Sequence, residues 1–328
     1  MKDRKAALRS DSASSARLRD LAHLVRAPAA LSVPGDVLAG ACAAAAPFSP
    51  RTLGVMGSSV CLYWAGMALN DYADATVDAV ERPDRPVPSG RVPRRTALAV
   101  ASALTAAGLG LAALSGGRRS LLGALPLAGV VWAYDLGLKD TAAGPAAMAG
   151  ARSLDVLAGA LAAPRTGLPA RTALRRAAAP AALVGAHTYT LTVLSRHEIA
   201  GAPARLPATT LAVSTATALA TAGPAARTVR RHLADRRTPG DRGATAPAAA
   251  LVTAGAALTY LGTYGTAQLR AVRKPSGENV RRAVGAGILA LMPLQAALTA
   301  RAGAPAAAAA LGLAHPLARR LARRVSPT

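Results

Sequence analysis

Charge disappears from the chain at regular intervals. No Asp, Glu, Lys or Arg occurs in residues 52–70, 96–117, 177–195, 206–226, 243–269, 283–300 or 302–318. Most of these runs reach the roughly 18 to 20 residues that a helix needs to cross a hydrocarbon core of about 30 Å. Apolar windows predict helices at about 28–47, 52–72, 96–116, 119–136, 143–162, 177–195, 206–223, 246–266 and 283–300, with a short apolar stretch at 302–318 after them. The expected fold class is all-α, a polytopic membrane bundle of about nine transmembrane helices. Three regions follow: a polar cytoplasmic tail at 1–27, a transmembrane domain at 28–302, and a short apolar segment with a basic tail at 303–328.

Composition sharpens this pattern. An apolar fraction of 52% with only 3% aromatic residues makes a poor aqueous core, because Ala brings little apolar area. In lipid, by contrast, Gly and Ala let helices approach closely. The 39 basic residues exceed the 16 acidic ones for a net charge of +23, and 35 of the 39 are Arg. Nucleic-acid binders gather such charge on one face, often with stacking aromatics. Here there is one Phe and the Arg residues fall between apolar runs, so membrane lipid, and no nucleic acid, is the expected partner. Cys42 and Cys61 lie inside expected spans, which argues against a disulfide framework or a zinc cluster. The tail carries Lys2, Arg4, Lys5, Arg9, Arg17, Arg19 and Arg26 without the apolar core and cleavage site of a signal peptide.

Basic residues also orient the chain. With the N-terminus inside, the inner segments hold 20 Lys and Arg against 13 in the outer loops. The expected location is the cell membrane, multi-pass, with a cytoplasmic N-terminus.

Five of the 16 acids fall within fourteen positions, Asp71, Asp74, Asp78, Glu81 and Asp84, directly after the second apolar window. In Asn70-Asp71-Tyr72-Ala73-Asp74-Ala75-Thr76-Val77-Asp78, steps of three and four put the three Asp on one helical face. Like charges so placed repel by about 0.2 to 0.5 kcal/mol per pair on an exposed helix, so a positive partner is required. Carboxylate and amide oxygens suit Mg²⁺, which keeps water and takes one or two carboxylates together with substrate phosphates. Next comes Glu81-Arg82-Pro83-Asp84-Arg85-Pro86-Val87-Pro88-Ser89-Gly90, whose prolines end the helix and stiffen a loop holding Arg82 and Arg85 near the carboxylates. Arg forks match phosphate oxygens. Acid and base together at a membrane mouth point to an Mg²⁺-bound diphosphate. A hydrated loop obeying the positive-inside rule would explain the Arg but not three Asp in register.

The run Asn70-Asp71-x-x-Asp74-x-x-x-Asp78 with its Arg82-Pro83-x-Arg85-Pro86-x-Pro88-Ser89-Gly90 loop resembles the first aspartate-rich motif of the UbiA superfamily of intramembrane prenyltransferases. It stands after the second helix, as in that family. The resemblance implies a helical bundle around a central cavity, a prenyl diphosphate donor, Mg²⁺ as cofactor, and transfer of the prenyl group to a lipophilic or ring-bearing acceptor. It also implies that Asp71, Asp74 and Asp78 are catalytic and, with Asn70, hold Mg²⁺ and the diphosphate, with Arg82 and Arg85 near the phosphates.

A second stretch, Trp132-Ala133-Tyr134-Asp135-Leu136-Gly137-Leu138-Lys139, resembles the family's Tyr-x-x-x-x-Lys element. The resemblance brings Tyr134 and Lys139 to the diphosphate, whereas by itself Lys139 would be an ordinary interfacial anchor. The second half departs from the family. Where an Asp-x-x-x-Asp pair is normal, the chain reads Leu194-Ser195-Arg196-His197-Glu198. Glu198 is then expected to carry one metal ion with water, with Arg196 or His197 meeting the phosphates directly. This pattern, with Arg152-Ser153-Leu154-Asp155 and Arg281-Arg282-Ala283-Val284-Gly285, looks most like the EboC-type branch.

Polar groups inside spans invite function. Arg152 and Asp155, three apart, read as a pair that neutralises itself or as part of a site; Asp36 has no evident partner; His187, Tyr189, Tyr260 and Tyr264 line the cavity or pack with single hydrogen bonds. The expected activity is Mg²⁺-dependent prenyl transfer. Its alternatives are a terpene cyclase on the same scaffold and a non-catalytic protein that binds or transports polyprenyl lipid.

Overall fold

Ala-rich runs entered through Ser or Pro become helices throughout. In the structure, a computed structural model that describes residues 18–26, 31–46, 48–162, 168–234 and 245–325, the order is α1 (18–24), α2 (Val33–Ala43), α3 (Pro50–Ala73), α4 (Ala75–Glu81), α5 (Arg94–Ala133), α6 (Gly144–Leu161), α7 (Ala170–Ser195), α8 (Arg205–Ala234), α9 (Thr245–Tyr260), α10 (Thr266–Arg273), α11 (Gly277–Arg301) and α12 (Pro305–Val325). Single π-helical turns, Tyr134–Leu138 and Leu261–Gly265, follow α5 and α9. The described residues contain no strand. Each expected window falls on a helix, and 302–318 falls on α12. Four segments, Pro50–Ala73, Arg94–Leu138, Ala170–Ser195 and Gly277–Arg301, are long and apolar enough to cross a membrane. Length and composition make these four segments candidate spans, and nine remains an expectation. Residues 1–17 of the expected polar tail, the basic stretch 235–244 and residues 326–328 lie outside the described residues.

α5 is two helices rather than one. At about 1.5 Å per residue its 40 residues would extend about 60 Å, twice a hydrocarbon core. Gly117 breaks it with φ 64° and ψ −152°, a conformation closed to residues with a Cβ. The indole of Trp132 donates to the Thr105 hydroxyl at 3.0 Å, and Ala112 shares a core cluster with Ala124. Both pairs straddle Gly117, so the halves run antiparallel as a hairpin. α3 packs along this hairpin, its Leu69 against Ala97 and Ala101 and its Leu62 against Leu127 and Val131.

The rest of the bundle is built on close backbone approach. A Cβ on Gly159 of α6 would stand 2.1 Å from the Val37 carbonyl of α2, and one on Gly40 only 1.7 Å from that of Val156. Such contacts hold helices together where lipid removes the hydrophobic drive. Tyr260, Tyr264, Leu294 and Leu298 fill the space between α7, α9 and α11. Leu114, Leu219, Leu251 and Leu258 instead point outward, 65–87% exposed, an apolar outer surface that suits lipid rather than water.

Candidate active site

α3 does not run on through the aspartates. Asp74 ends it at φ −86°, ψ 5°, and α4 restarts at once. The three carboxylates thus do not share one face as equals. Asp71 and Asp78, both buried, are bridged by Arg85, whose Nη1 lies 2.5 Å from Asp78 and 3.6 Å from Asp71. Asp71 also accepts from Arg26 Nη2 at 3.1 Å. Asp74 turns the other way, where it forms an ion pair with Lys139 and accepts from Asn70 Nδ2 at 3.0 Å. Each carboxylate therefore has a cation, which answers the repulsion expected from the sequence. Arg85 is placed by its loop, where Ser89 N and Val92 N bond to the Arg85 and Pro86 carbonyls and Gly90 takes φ 75°.

Lys139 arrives through the π turn, in which its own N–H bonds to the Tyr134 carbonyl at 3.0 Å. π bulges commonly mark functional sites. This one also delivers Asp135, buried within electrostatic reach of Lys139 and Asp74 and close enough to Gly66 that a Cβ there would lie 3.3 Å from Asp135 Oδ2. The Tyr134 side chain is within electrostatic reach of Asp74, Asp135 and Arg196.

The second half supplies less than the sequence leads one to expect. Arg196 Nη2 is held by the carbonyls of Lys139 and Thr141 at 2.8 and 2.5 Å, so it braces the Lys139 loop. His197 Nδ1 faces the Val193 carbonyl at 3.3 Å. Glu198 is half-buried and faces two guanidiniums rather than another acid. Burial pushes its pKa up, while Arg281 and then Arg82 pull it down. Arg82 is exposed, between Glu198 and Arg26 in electrostatic terms.

Two residues of the site escape the sequence reading. Asp135 lies between Tyr134 and Lys139, where nothing local distinguishes it from any other interfacial acid. Arg26 closes a run of polar-tail arginines, yet burial first, then Arg85, lower its pKa against the opposing pull of Asp71, and Arg82 adds to the lowering. Three crowded guanidiniums at a membrane mouth make a place for a polyanion.

The oxygen donors also fit a hard divalent cation. Asn70, Asp74 and Asp135 stand on one side, Asp71 and Asp78 on the other. Among the described residues no three His, Cys, Asp or Glu side chains converge into a closed cage. Mg²⁺ needs none, because one or two carboxylates with water and phosphate satisfy it.

Deeper in the bundle lies a second polar layer. Arg152 pairs with Asp36 at 3.0 Å, not with Asp155, and Asp36 also accepts from Gln295 Nε2 at 2.7 Å. Asp155 is bonded by Ser59, and Arg152 stands over the Tyr63 ring at 5.2 Å. His187, Tyr260 and Tyr264 are fully buried and meet edge to face. Tyr189 differs, being 45% exposed along an Ala- and Gly-lined groove between α6, α7 and α8.

A carboxylate cluster at the end of α3 is thus matched by cations from the following loop and from a π turn. Residues 35–226 match the model of the UbiA prenyltransferase family. The chain belongs to the UbiA prenyltransferase family. It is accordingly a multi-pass membrane protein, and the UbiA-like architecture recurs in solved structures. A UbiA homologue from Aeropyrum pernix K1 superposes with a TM-score of 0.56 at 21% identity, over 79% of this chain and 94% of that one. A UbiA homologue from Archaeoglobus fulgidus bound to GPP and Mg²⁺ gives 0.55 at 15% identity, over 83% and 99%. Sequence relatives match locally. The digeranylgeranylglyceryl phosphate synthase of Methanopyrus kandleri is 53% identical over 58 residues, 18% of this chain and 21% of that protein. That of Ignicoccus hospitalis is 40% identical over 101 residues, 30% and 33%. The UbiA chain thus spans between a fifth and a third of the length of these curated relatives.

Proposed function

We propose that this protein is an Mg²⁺-dependent intramembrane prenyltransferase that takes the prenyl group of a prenyl diphosphate and passes it to a lipophilic acceptor. One observation carries the reading: at a single mouth of the bundle Asp71, Asp74 and Asp78 are each ion-paired, to Arg26 and Arg85, to Lys139, and to Arg85. Alternating charge of this kind is what an Mg²⁺–diphosphate replaces piece for piece, cation to the carboxylates and phosphate oxygens to the guanidiniums and ammonium. The ligands named for the Archaeoglobus fulgidus neighbour support it.

Asn70, Asp71, Asp74, Asp78 and Asp135 would hold Mg²⁺, with Glu198 the candidate acid from the second half. The ion, when bound, adds Lewis-acid stabilisation of the phosphate oxygens. Arg26, Arg85 and Lys139 receive the charge that develops as the C1–O bond breaks and its electron pair passes to the diphosphate, with Arg82 and Tyr134 at the rim. Arg196 acts through the Lys139 loop it braces. The surrounding helices keep water from the allylic cation until an acceptor atom bonds to C1 and loses its proton to the departing diphosphate. The names of the curated relatives make prenylated glyceryl phosphate the first acceptor class to try. The reading further takes 28–302 as the transmembrane domain, nine spans, and a cytoplasmic N-terminus in the cell membrane.

The test is incubation of the purified protein with labelled prenyl diphosphates of several lengths and Mg²⁺, with and without a lipid extract. Diphosphate release with a heavier, lipid-dependent product is expected. Release with an acceptor-free hydrocarbon product would make it a cyclase, and binding without release would overturn the enzyme reading.

A further inference from the structure

Helix α1 and the diphosphate loop are fastened together at a point remote from the carboxylates. Arg91 is the fastener: Nη1 lies 2.8 Å from Asp20 on α1, Nη2 donates to the Asp84 carbonyl at 2.6 Å, and Nε donates to the Ser89 hydroxyl at 3.0 Å. Two of its three nitrogens thus grip the loop that carries Arg85, and the third grips α1. On the same helix Leu24 is fully buried among Ala68, Leu69, Val87, Val92, Ala97 and Ala101, contributed by α3, the loop and α5. Leu24 therefore seals the joint that Arg91 ties. Two residues further on, the backbone enters the left-handed region at Arg26, φ 45°, and the Arg26 side chain turns onto Asp71 at 3.1 Å and Met67 Sδ at 3.7 Å. A non-glycine residue holds such a conformation only where its surroundings over-determine it. Here those surroundings are the docked helix on one side and the carboxylate on the other.

We propose that Asp20 and Arg91 are positioning residues: their pair clamps α1 to the diphosphate loop and so fixes Arg26 and Arg85 at one spacing, the spacing at which both guanidiniums meet the same diphosphate. This rests on the diphosphate reading of the site. Neither residue touches the substrate. The pair is about a third exposed, with Arg91 at 44% and Asp20 at 22%, so as an ion pair it adds little to global stability. Its importance lies in geometry, because a guanidinium displaced by an ångström loses its bidentate fit to phosphate.

The probe is Mg²⁺ with inorganic pyrophosphate, titrated calorimetrically into the full-length protein in detergent, beside steady-state kinetics with a prenyl diphosphate and hydrogen exchange of residues 18–26. Asp20→Asn should weaken pyrophosphate binding and raise KM about 5- to 20-fold, with kcat within twofold and faster exchange of 18–26. Asp20→Glu, which can still reach Arg91, should return all three to within about twofold of the wild type. Wild-type pyrophosphate affinity in Asp20→Asn, with faster exchange, would overturn the clamp. Equal loss in Asp20→Asn and Asp20→Glu would overturn it too. If the wild type binds pyrophosphate but turns nothing over, the prenyltransferase reading fails while the binding arm still decides the clamp.

Discussion

Arg152 Nε lies 3.0 Å from a carboxylate oxygen of Asp36, a pair sealed from solvent that ties α6 to α2. Asp155, fully buried on the same helix as Arg152, also feels that guanidinium and takes its own hydrogen bond from Ser59. Two acids thus share one base, and the two ends of the pair are unequal. Arg152→Leu leaves both carboxylates without a countercharge, whereas Asp36→Leu leaves Asp155 for the Arg. Breaking a buried pair from one side costs about 3–5 kcal/mol. Thermal unfolding in detergent should show that full cost for Arg152→Leu and a distinctly smaller one for Asp36→Leu; equal losses would refute the shared-base arrangement.

At the mouth, Asp71→Ala and Asp74→Ala should each lower Mg²⁺-dependent diphosphate release at least 100-fold, the scale on which charge-stabilising groups act. Asp74→Ala should unfold near the wild-type temperature, since its ion pair with Lys139 is partly exposed, whereas Asp71→Ala, which takes a buried acid from Arg26 and Arg85, should also unfold earlier. Full activity in either one would sink the site assignment.

Lys139 reaches Asp74 from the π turn, and under the proposed function its charge rather than its anchoring is what the reaction would use. Lys139→Ala should cut kcat about 100-fold, and Lys139→Arg should keep a tenth or more of the wild-type rate because it restores a donor to phosphate. An interfacial anchor alone would leave kcat unchanged in both, and steady-state kinetics distinguishes the two.

Gly144 stands where the Lys139 loop meets Arg196: a Cβ would come within 2.5 Å of the Lys139 carbonyl and 2.6 Å of Arg196 Nη2. Gly144→Ala is therefore expected to cost about 1–3 kcal/mol of overpacking strain and to lower activity about tenfold by shifting Lys139. Wild-type kinetics in this variant would show that Arg196 does not set the loop.

Helices were legible because charge is costly in lipid and marks its own boundaries; every window from 28–47 to 283–300 lies on one. The Asp71, Asp74 and Asp78 cluster was legible for the converse reason, acid being scarce elsewhere. Partners across the bundle were not. Nothing local in Asp36 announces Arg152, 116 residues away, or Gln295, 259 residues away, because such pairs depend on which helix faces which. Spacing alone made Asp155 the natural partner of Arg152, and tertiary packing overrode it. Arg26 was hidden by its company of tail arginines, and nothing in the sequence around Arg196 announces that its guanidinium holds the Lys139 and Thr141 carbonyls.

The Gly117 hairpin has almost no connecting loop, so its two arms share a single ruler. Lys139 finds Asp74 only if the number of residues from Gly117 to the π turn keeps its fixed relation to the number back to Pro93. One inserted residue in either arm would turn everything beyond it by about 100° and move it about 1.5 Å. It would present Leu138 or Asp140 to the carboxylates in place of the ammonium. The chemistry of the mouth is in this sense metered from the opposite end of the bundle, and the tolerance of this protein to insertions in α5 is set by arithmetic, at a distance from any residue that meets the substrate.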